Sequence, residues 1–530
     1  MSRSARGRPP AVRATRSAPA PGAAQILPHG TVDRVDLAPG DAQADAGILD
    51  RPSISADGRY VAFATLAKNL GASGVRRSQV LVRDRQRRTT TLVSATPSGA
   101  PGGQASTGPA ISADGHYVAF ESYATDLVPQ PTRPGVGHVY LRDLRTGRTT
   151  LLTAGPGVAA DDDSGSVSID SAGDRVAFDS RAGNLVAGHN DDTHRGEVYV
   201  WDRNGGGVRQ ISLDPTGGPL AAGSAGPSIS ADGNKVAFVE AGTRGGTCED
   251  AYVKDLVTGL GTVASVATDS AGGCGHIEDV AMSGDGKHLA FATSWPLSSA
   301  DHDLTPDVYV RDLTANTTTL VSERKLPGLL DERGASYGAS LSYDGRWVAF
   351  TSFADDLGAG HVARTDSAYL KDMRTGAIRM IAAVPGHPFP GGSSFGVFLT
   401  PDAAHVVFAS AAENLVPADN NHAGDAFVID WSGPAYPAAQ TPVTAPLVPP
   451  HTQIDVGPVG KVAAGLQRFV LTSDTAPTWF QCRFDAGRWH RCGSTVTWNA
   501  RPGKHRLWAR AVDSAGHVDP APASRVFEVG

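Results

Sequence analysis

The sequence predicts an all-β chain: a seven-bladed β-propeller closed by an N-terminal strand, plus a small C-terminal β-sandwich. Three observations predict it. A motif of about ten residues recurs seven times at a mean spacing of 57.5 residues. Each copy carries four short strand patterns separated by turn residues. The composition is rich in Gly, Ser, Thr and Val, and lacks long segments of Glu, Lys and Leu. The 62 Gly and 36 Pro lie below the combined share, roughly 25–30%, at which composition alone suggests disorder. No apolar run approaches 18 residues, so no transmembrane helix is expected. A net charge of -7 and a pI near 6.1 argue against a nucleic-acid partner.

Residues 1–30 carry five arginines and no acid. They read as a disordered basic leader without the 7–15-residue apolar core of an export signal. The expected closing strand is Val32-Asp-Arg-Val-Asp-Leu37. The repeats then begin with Ile54-Ser-Ala-Asp57-Gly58-Arg-Tyr-Val61-Ala62-Phe63. The string returns as Ile111–Phe120, Ile169–Phe178, Ile229–Phe238, Met282–Phe291, Leu341–Phe350 and Leu399–Phe408. The third copy has Ala172-Gly173 at its turn, and the last has Asp402-Ala403.

Within a repeat, a first apolar strand reaches Asp-Gly, a two-residue hairpin signal because both residues tolerate positive φ. Val-Ala-Phe forms the second strand. The third strand is Val139-Tyr-Leu-Arg-Asp143 or its equivalents, through Ala426-Phe-Val-Ile-Asp430. A short turn such as Arg145-Thr-Gly147 leads to the fourth, for example Thr149–Thr153. A four-stranded unit cannot bury both its faces alone, so neighbours must stack. The seventh repeat has no fourth strand of its own before residues 432–450, which contain six prolines. The N-terminal strand is expected to fill that place, which leaves no open edge. The expected domains are 31–432 for the propeller, 433–450 for a stiff Pro-rich linker, and 451–530 for the sandwich.

The repeated Ser-x-Asp-Gly-x-x-Val-Ala-Phe, followed by Val-Tyr-Val-x-Asp, resembles the TolB-like, WD-related propeller family over residues 31–432. The resemblance implies the fold. It does not carry over the envelope partner of TolB, which has an additional N-terminal domain and fewer blades. In the last domain, Ala509-Arg-Ala-Val-Asp-Ser-Ala-Gly-His-Val-Asp-Pro-Ala-Pro522 resembles the closing hairpin of bacterial immunoglobulin-like modules. Such modules act as spacers or adhesive units.

The first–second and third–fourth turns are short and fall on one face of the propeller. The second–third loops, such as Tyr123–Gly137 and Arg181–Gly196, fall on the other with the loops between repeats. Recognition concentrates on such loops. Two of them share the spacing D-x-[DN]-x-x-x-D: Asp301, Asp303 and Asp307, and Asp419, Asn421 and Asp425. Hard cations take several oxygen ligands, so these are the candidate calcium sites. Side-chain caps on turns are the alternative. No other cofactor is expected.

Catalytic motifs fail on context. Gly392-Ser-Ser394-Phe-Gly396 fits G-x-S-x-G, but a strand follows it where the nucleophile elbow requires a helix. Ser342-Tyr-Asp344-Gly345 sits in the ordinary hairpin of its repeat. His189, His276, His302, His361 and His422 show no ligand spacing.

The chain has four cysteines. Cys482 and Cys492 flank one hairpin; Cys248 and Cys274 lie in neighbouring loops of the fourth repeat. Two local disulfides are expected, which places the chain outside the cell or in the cell envelope. The leader points to the cytoplasm instead, unless the true start lies upstream. The expected function is a non-catalytic, monomeric binding scaffold that recognises protein or glycan through the long-loop face. Fold alone leaves two alternatives open: a propeller hydrolase or lyase with its site at the channel mouth, and a purely structural surface protein.

Overall fold

A computed structural model describes residues 31–71, 77–155, 158–187, 195–205, 207–213, 220, 223–242, 248–268, 275–302, 305–324, 334–354, 357, 365–381, 391–417, 419–430, 451–473, 479–512, 518–519 and 521–530. The leader, the Pro-rich linker, Asp303, Cys274, His189 and His361 lie outside the described residues. Among the described residues the chain is all-β, with one short 3-10 turn at Pro39–Asp41 and no helix long and apolar enough to cross a membrane.

Residues 31–430 form four-stranded antiparallel sheets of the kind that fits a β-propeller. Sheet 2 shows the pattern: Ser106–Ile111, Tyr117–Ser122, His138–Asp143 and Arg148–Leu151, paired in chain order. Sheets 1 and 3–6 repeat it from Ser53, Ser164, Ser224, Ile277 and Ser336. In sheet 7, Ser394–Leu399, His405–Ser410 and Asp425–Asp430 are joined by Thr31–Arg34, in register from Thr31 opposite Asp430 to Arg34 opposite Phe427. The first strands of successive sheets pack against one another in order, and that of sheet 7 packs against that of sheet 1.

The Val-Ala-Phe strands are the core. Phe63, Phe120, Phe178, Phe238, Phe291, Phe350 and Phe408 are all fully buried. From sheet 2 onward each ring meets an aromatic of the third strand at 5.3–6.0 Å, from Phe120–Tyr140 to Phe408–Phe427. Sheet 1 has Leu81 opposite Phe63 instead. Truncating any of these rings to Ala removes about 3–5 kcal/mol.

The Asp-Gly turn differs from the two-residue hairpin expected. Only the glycine has positive φ, 70° at Gly58, and Asp57 keeps an ordinary one. Ser55 supplies the reason. Its carbonyl accepts from the Gly58 amide at 2.9 Å, closing a four-residue turn. Its hydroxyl donates to Asp57 (2.6 Å) and accepts from the Tyr60 amide, while Asp57 accepts from the Arg59 amide (3.0 Å). The aspartate therefore caps the turn with its side chain and needs no left-handed backbone. Ser112/Asp114, Ser230/Asp232, Ser283/Asp285, Ser342/Asp344 and Thr400/Asp402 repeat the arrangement. Sheet 3 puts Asp170 in place of the serine, and burial, then Asp174, push its carboxyl up to about 7.

The turn also links sheets. Ala56 donates to the Ala113 carbonyl, Ala113 to Ser171, Ser171 to Ala231, Ala231 to Gly284, and Tyr343 to Pro401, all at 2.7–3.1 Å. A Cβ on Gly58 would stand 2.4 Å from the His405 ring, so that glycine is required where sheet 1 meets sheet 7. His405 in turn binds Asp430 at 2.6 Å. Burial raises Asp430, but His405 and the Arg85 guanidinium outweigh it and hold the carboxyl at about 2.

A second buried pair recurs at the outer strands. A residue just past the fourth strand bonds one at the start of the third: Ser94 to Gln79 (2.8 Å), Thr153 to His138 (3.2 Å), Ser212 to Glu197 (2.5 Å), Ser265 to Asp250 (2.6 Å; here the third strand starts two residues earlier), and Ser322 to Asp307. In sheet 7 the equivalents are Asp36 and Asp425, two fully buried carboxyls in contact. Burial, and next the Asp425 charge, raise Asp36 well above the carboxylate range. Arg34 lies 3.4 Å from Asp425 and 3.6 Å from Asp419.

Residues 451–530 form two sheets over one core that includes Phe469, Leu471, Phe480, Leu507 and Phe527. Thr452–Val456, Gly465–Ser473 and Thr495–Ala500 make the first. Gly460–Val462, Ala523–Val529, Gly503–Val512, Trp479–Phe484 and His490–Cys492 make the second. Cys482 and Cys492 form a disulfide, worth about 2–4 kcal/mol by restricting the unfolded chain.

Two outcomes follow. Removing residues 31–37 strips sheet 7 of its outer strand and should lower the melting temperature by roughly 5 °C or more, whereas removing 1–28 should not; equal melts for both truncations would refute the role of the strand. Asp36→Ser should restore the acid–Ser pair of the other sheets. Because the folded-state pKa of Asp36 is raised, its favourable contribution is present at low pH and lost as pH rises through that value. Denaturation followed upward in pH from the ordinary carboxylate range should therefore show a falling stability that Asp36→Ser makes less steep. Parallel pH profiles for the two proteins would contradict it.

Candidate functional site

The first strand of each sheet carries the geometry that builds the site. In sheets 2, 3, 4, 6 and 7 its register slips between the second and fifth positions, as between Thr107 and Ala110 or Ala225 and Ser228, and in sheet 5 between Ile277 and Val280. At the slip Gly108, Gly226, Gly338 and Gly396 take positive φ, and Ser166 does so at 51°. Such a bulge re-aims backbone amides. Gly108 donates to Asp50 (2.9 Å), Gly226 to Asp179 (2.9 Å) and Ala339 to Asp279 (3.1 Å), each acid belonging to an earlier sheet or the segment leading into it.

At the same position sheet 5 has Asp279, and the segment entering sheet 1 has Arg51. Arg51 reaches across to the Val397 carbonyl (3.0 Å from Nε) and the Ala339 carbonyl (2.8 Å from Nη2), over the Phe398 ring. Burial lowers the pKa of Arg51 and raises that of Asp279, and each charge partly offsets the shift of the other. This opposite-charge pair lies among the ring of first strands.

A cavity of 530 Å³ opens beside it in sheets 2–4, lined by Glu121, Asp163, Gly165, Asp179, Arg181, Ser224 and Glu249 among others. The second–third loops begin at Arg181 and end at Gly196, and the between-sheet loops end at Asp163 and Gly223. The cavity therefore sits on the long-loop face.

Glu121 is its central group. It lies one residue before the end of the second strand of sheet 2 and against Gly165 of sheet 3, where a Cβ would stand 2.7 Å from its Oε2. Burial pushes its carboxyl up to about 7, and Asp179, Asp163 and Asp50 add to the rise; a hydrogen bond with Tyr123 opposes it. Asp179 accepts from Gly226, and Asp163 accepts from Gly137 at 2.7 Å. Glu249 accepts from the Ile277 amide (2.9 Å) and pairs with His276 (2.6 Å). The cavity thus offers fixed acceptors beside one carboxyl whose pKa burial raises to about 7.

The same face has an apolar flank. Leu49 and Leu66 of sheet 1 and Trp295 and Phe353 beyond the second strands of sheets 5 and 6 are exposed. Phe353 lies 6.0 Å from the Tyr337 ring.

The residues singled out for calcium lie elsewhere and carry protein partners. Asp301 accepts from the Tyr309 hydroxyl and Asp307 from Ser322. Asp303 lies outside the described residues. Asp419 and Asp425 share Arg34 and the Gln43 amide, which is 2.7 Å from Asp419 and 3.4 Å from Asp425. Asn421 donates to Asp425 (3.0 Å) and accepts from the Ala423 amide (3.0 Å). Among the described residues no three His, Cys, Asp or Glu side chains converge as a metal-binding set. Ser394 is buried in a strand with its hydroxyl 2.9 Å from that of Ser410. Cys248 is buried at the start of a third strand.

Sequence reasoning missed Asp50, Arg51, Glu121, Asp163, Asp179 and Asp279. A signal was present: the residue after Val-Ala-Phe is Ala64, Glu121, Asp179, Val239, Ala292, Thr351 and Ala409. Only the second and third repeats place an acid there.

Asp179→Asn removes the charge that contributes most to raising Glu121, so the Glu121 midpoint should move down toward the ordinary carboxylate range. Carbon-13 NMR of the Glu carboxyls across a pH titration reads this directly; an unmoved midpoint would show that the two groups do not share a cavity field.

No family model and no curated protein matches the chain. Among solved structures, an oligogalacturonate lyase from Vibrio parahaemolyticus aligns at 11% identity over 78% of this chain and 98% of its own, with a TM-score of 0.42. TolB from Acinetobacter baumannii aligns at 14% identity over 67% and 76%, with a TM-score of 0.33. A structure from a study of two prolyl endopeptidases aligns at 12% identity over 81% and 55%, with a TM-score of 0.45.

Proposed function

We propose that this chain is a seven-bladed propeller closed by Thr31–Arg34, carrying an immunoglobulin-like module, and that it works outside the cell or in the cell envelope as a glycan-binding scaffold. The observation that carries the reading is the acidic cavity on the long-loop face with Glu121 at its centre. Sugar hydroxyls donate to fixed carboxylates, and a carboxyl with its pKa raised by burial can donate when protonated and accept when ionised. The exposed Trp295 and Phe353 offer apolar surface for sugar C–H faces on the same side. Asp163, Asp179 and Glu249 repel anionic ligands, so the cavity suits neutral or amine-bearing sugars. The Cys482–Cys492 disulfide supports an oxidising compartment. The reading requires no metal.

One observation favours a catalytic alternative. Glu121 and Asp179 line one cavity, and burial pushes the Glu121 carboxyl up to about 7. A carboxyl raised in this way, beside a second carboxyl, is the arrangement used for general-acid glycoside cleavage.

The test is calorimetric titration with neutral and amino-sugar oligomers, with product analysis of each mixture. The scaffold reading expects saturable binding, weakened about tenfold by Asp179→Asn, with every oligomer recovered intact. Cleavage abolished by Glu121→Gln would establish the enzyme instead. Absence of both binding and cleavage across the set would overturn the glycan reading.

A further inference from the structure

The outward face of the C-terminal five-stranded sheet carries an ordered ladder of cations and indoles. Strand alternation selects it. Phe480, Cys482, Leu507, Ala509 and Ala511 point into the core and are buried. The residues between them point out, and the register sets Arg483 opposite Trp508 and Gln481 opposite Arg510. Arg506 lies 5.1 Å from the Trp508 ring, Arg483 5.4 Å from the same ring and 5.0 Å from Trp489, and Arg510 4.3 Å from Trp489. The order is therefore Arg506, Trp508, Arg483, Trp489, Arg510, with each indole holding two guanidiniums. Gln481 anchors the far end by accepting from Arg510 Nε at 2.7 Å.

The surrounding charge points the same way. Residues 451–530 hold ten Lys and Arg against six Asp and Glu, a formal +4 in a chain of net -7. The described acids are engaged: Glu528 faces Lys461 at 3.7 Å, Asp485 binds His505 and the Arg506 amide, and buried Asp519 caps the Thr452 amide. The fourth, Asp455, lies on the three-stranded sheet. Arg491, stacked on Trp479, is committed to Asp174 at 3.7 Å.

We infer that this face binds a linear anionic polysaccharide along the Arg506–Arg510 ladder. Stacking fixes the arginine side chains before the ligand arrives, so less rotamer entropy is lost on binding. Guanidinium edges held in a row match carboxylate or sulfate groups spaced along a chain. The indoles already hold two guanidiniums each, which leaves little open ring face for stacked bases and favours a polysaccharide over nucleic acid. The site is separate from the acidic cavity and takes the opposite charge.

The test uses the full chain and immobilised alginate (carboxylate), dextran sulfate (sulfate), neutral dextran and duplex DNA. Wild type should bind alginate or dextran sulfate, with affinity falling as salt rises, and should not bind dextran. Whichever of the two binds tighter identifies the anionic group. Arg506→Glu and Arg510→Glu should each weaken binding at least tenfold. Arg468→Glu, which makes the same charge change at an exposed position on the opposite sheet, should change it less than twofold. Melting curves check folding, and Arg506→Gln, expected to give an intermediate loss, serves if a reversal does not fold. Equal losses from all three reversals, equal binding of dextran, or tighter binding of DNA at the same salt would each overturn the inference.

Discussion

The Ser-x-Asp-Gly turn is the constraint on which the rest of the structure depends. It satisfies its own polar groups through the serine hydroxyl and the aspartate, so it can sit against its neighbours without water. Its backbone then bonds the next turn, and its glycine leaves room for the side chain that starts a neighbouring second strand. Sheets held at a fixed distance on one face leave the other face to long loops. The stiffness of the short-turn face is thus what allows sheets 2–4 to hold Glu121, Asp163 and Asp179 around one cavity.

Charge is sorted along the chain in a way that net charge conceals. Arg51 and Asp279 oppose each other among the first strands, acids gather in the cavity beside them, and arginines gather on the outward face of the last domain. Each group is held differently. Backbone amides, such as those of Gly226 on Asp179 and Gly137 on Asp163, hold the acids, whereas tryptophan rings stack on the arginines.

The repeat was legible because it is periodic and because Val-Ala-Phe and the turn residues have single structural roles. The strand order and the N-terminal pairing followed from counting strands. The turn type was misjudged, because Asp57 works through its side chain and a dipeptide rule reads only backbone preference. The cavity was not legible from motifs, since Glu121 and Asp179 are adjacent only after sheets stack. Comparing repeats position by position would have flagged them. Spacing alone does not reveal that Tyr309, Ser322, Arg34 and Gln43 stand beside the Asp301 and Asp419 sets.

The pairing of Thr31 with Asp430 joins residues 399 positions apart. That separation has a consequence for how the molecule is made. The strand Thr31–Arg34 has no partner until Asp425–Asp430 has been made, and pairing segments so far apart in the chain is slow. Sheets 1–6 can form in order from local hairpins, while Thr31–Arg34 stays unpaired until Asp425–Asp430 has been made. A partly translated or interrupted chain therefore presents a strand that invites pairing with another copy. The arginine and acids clustered at Arg34, Asp36 and Asp425 are suited to discourage the wrong partner until the right one arrives.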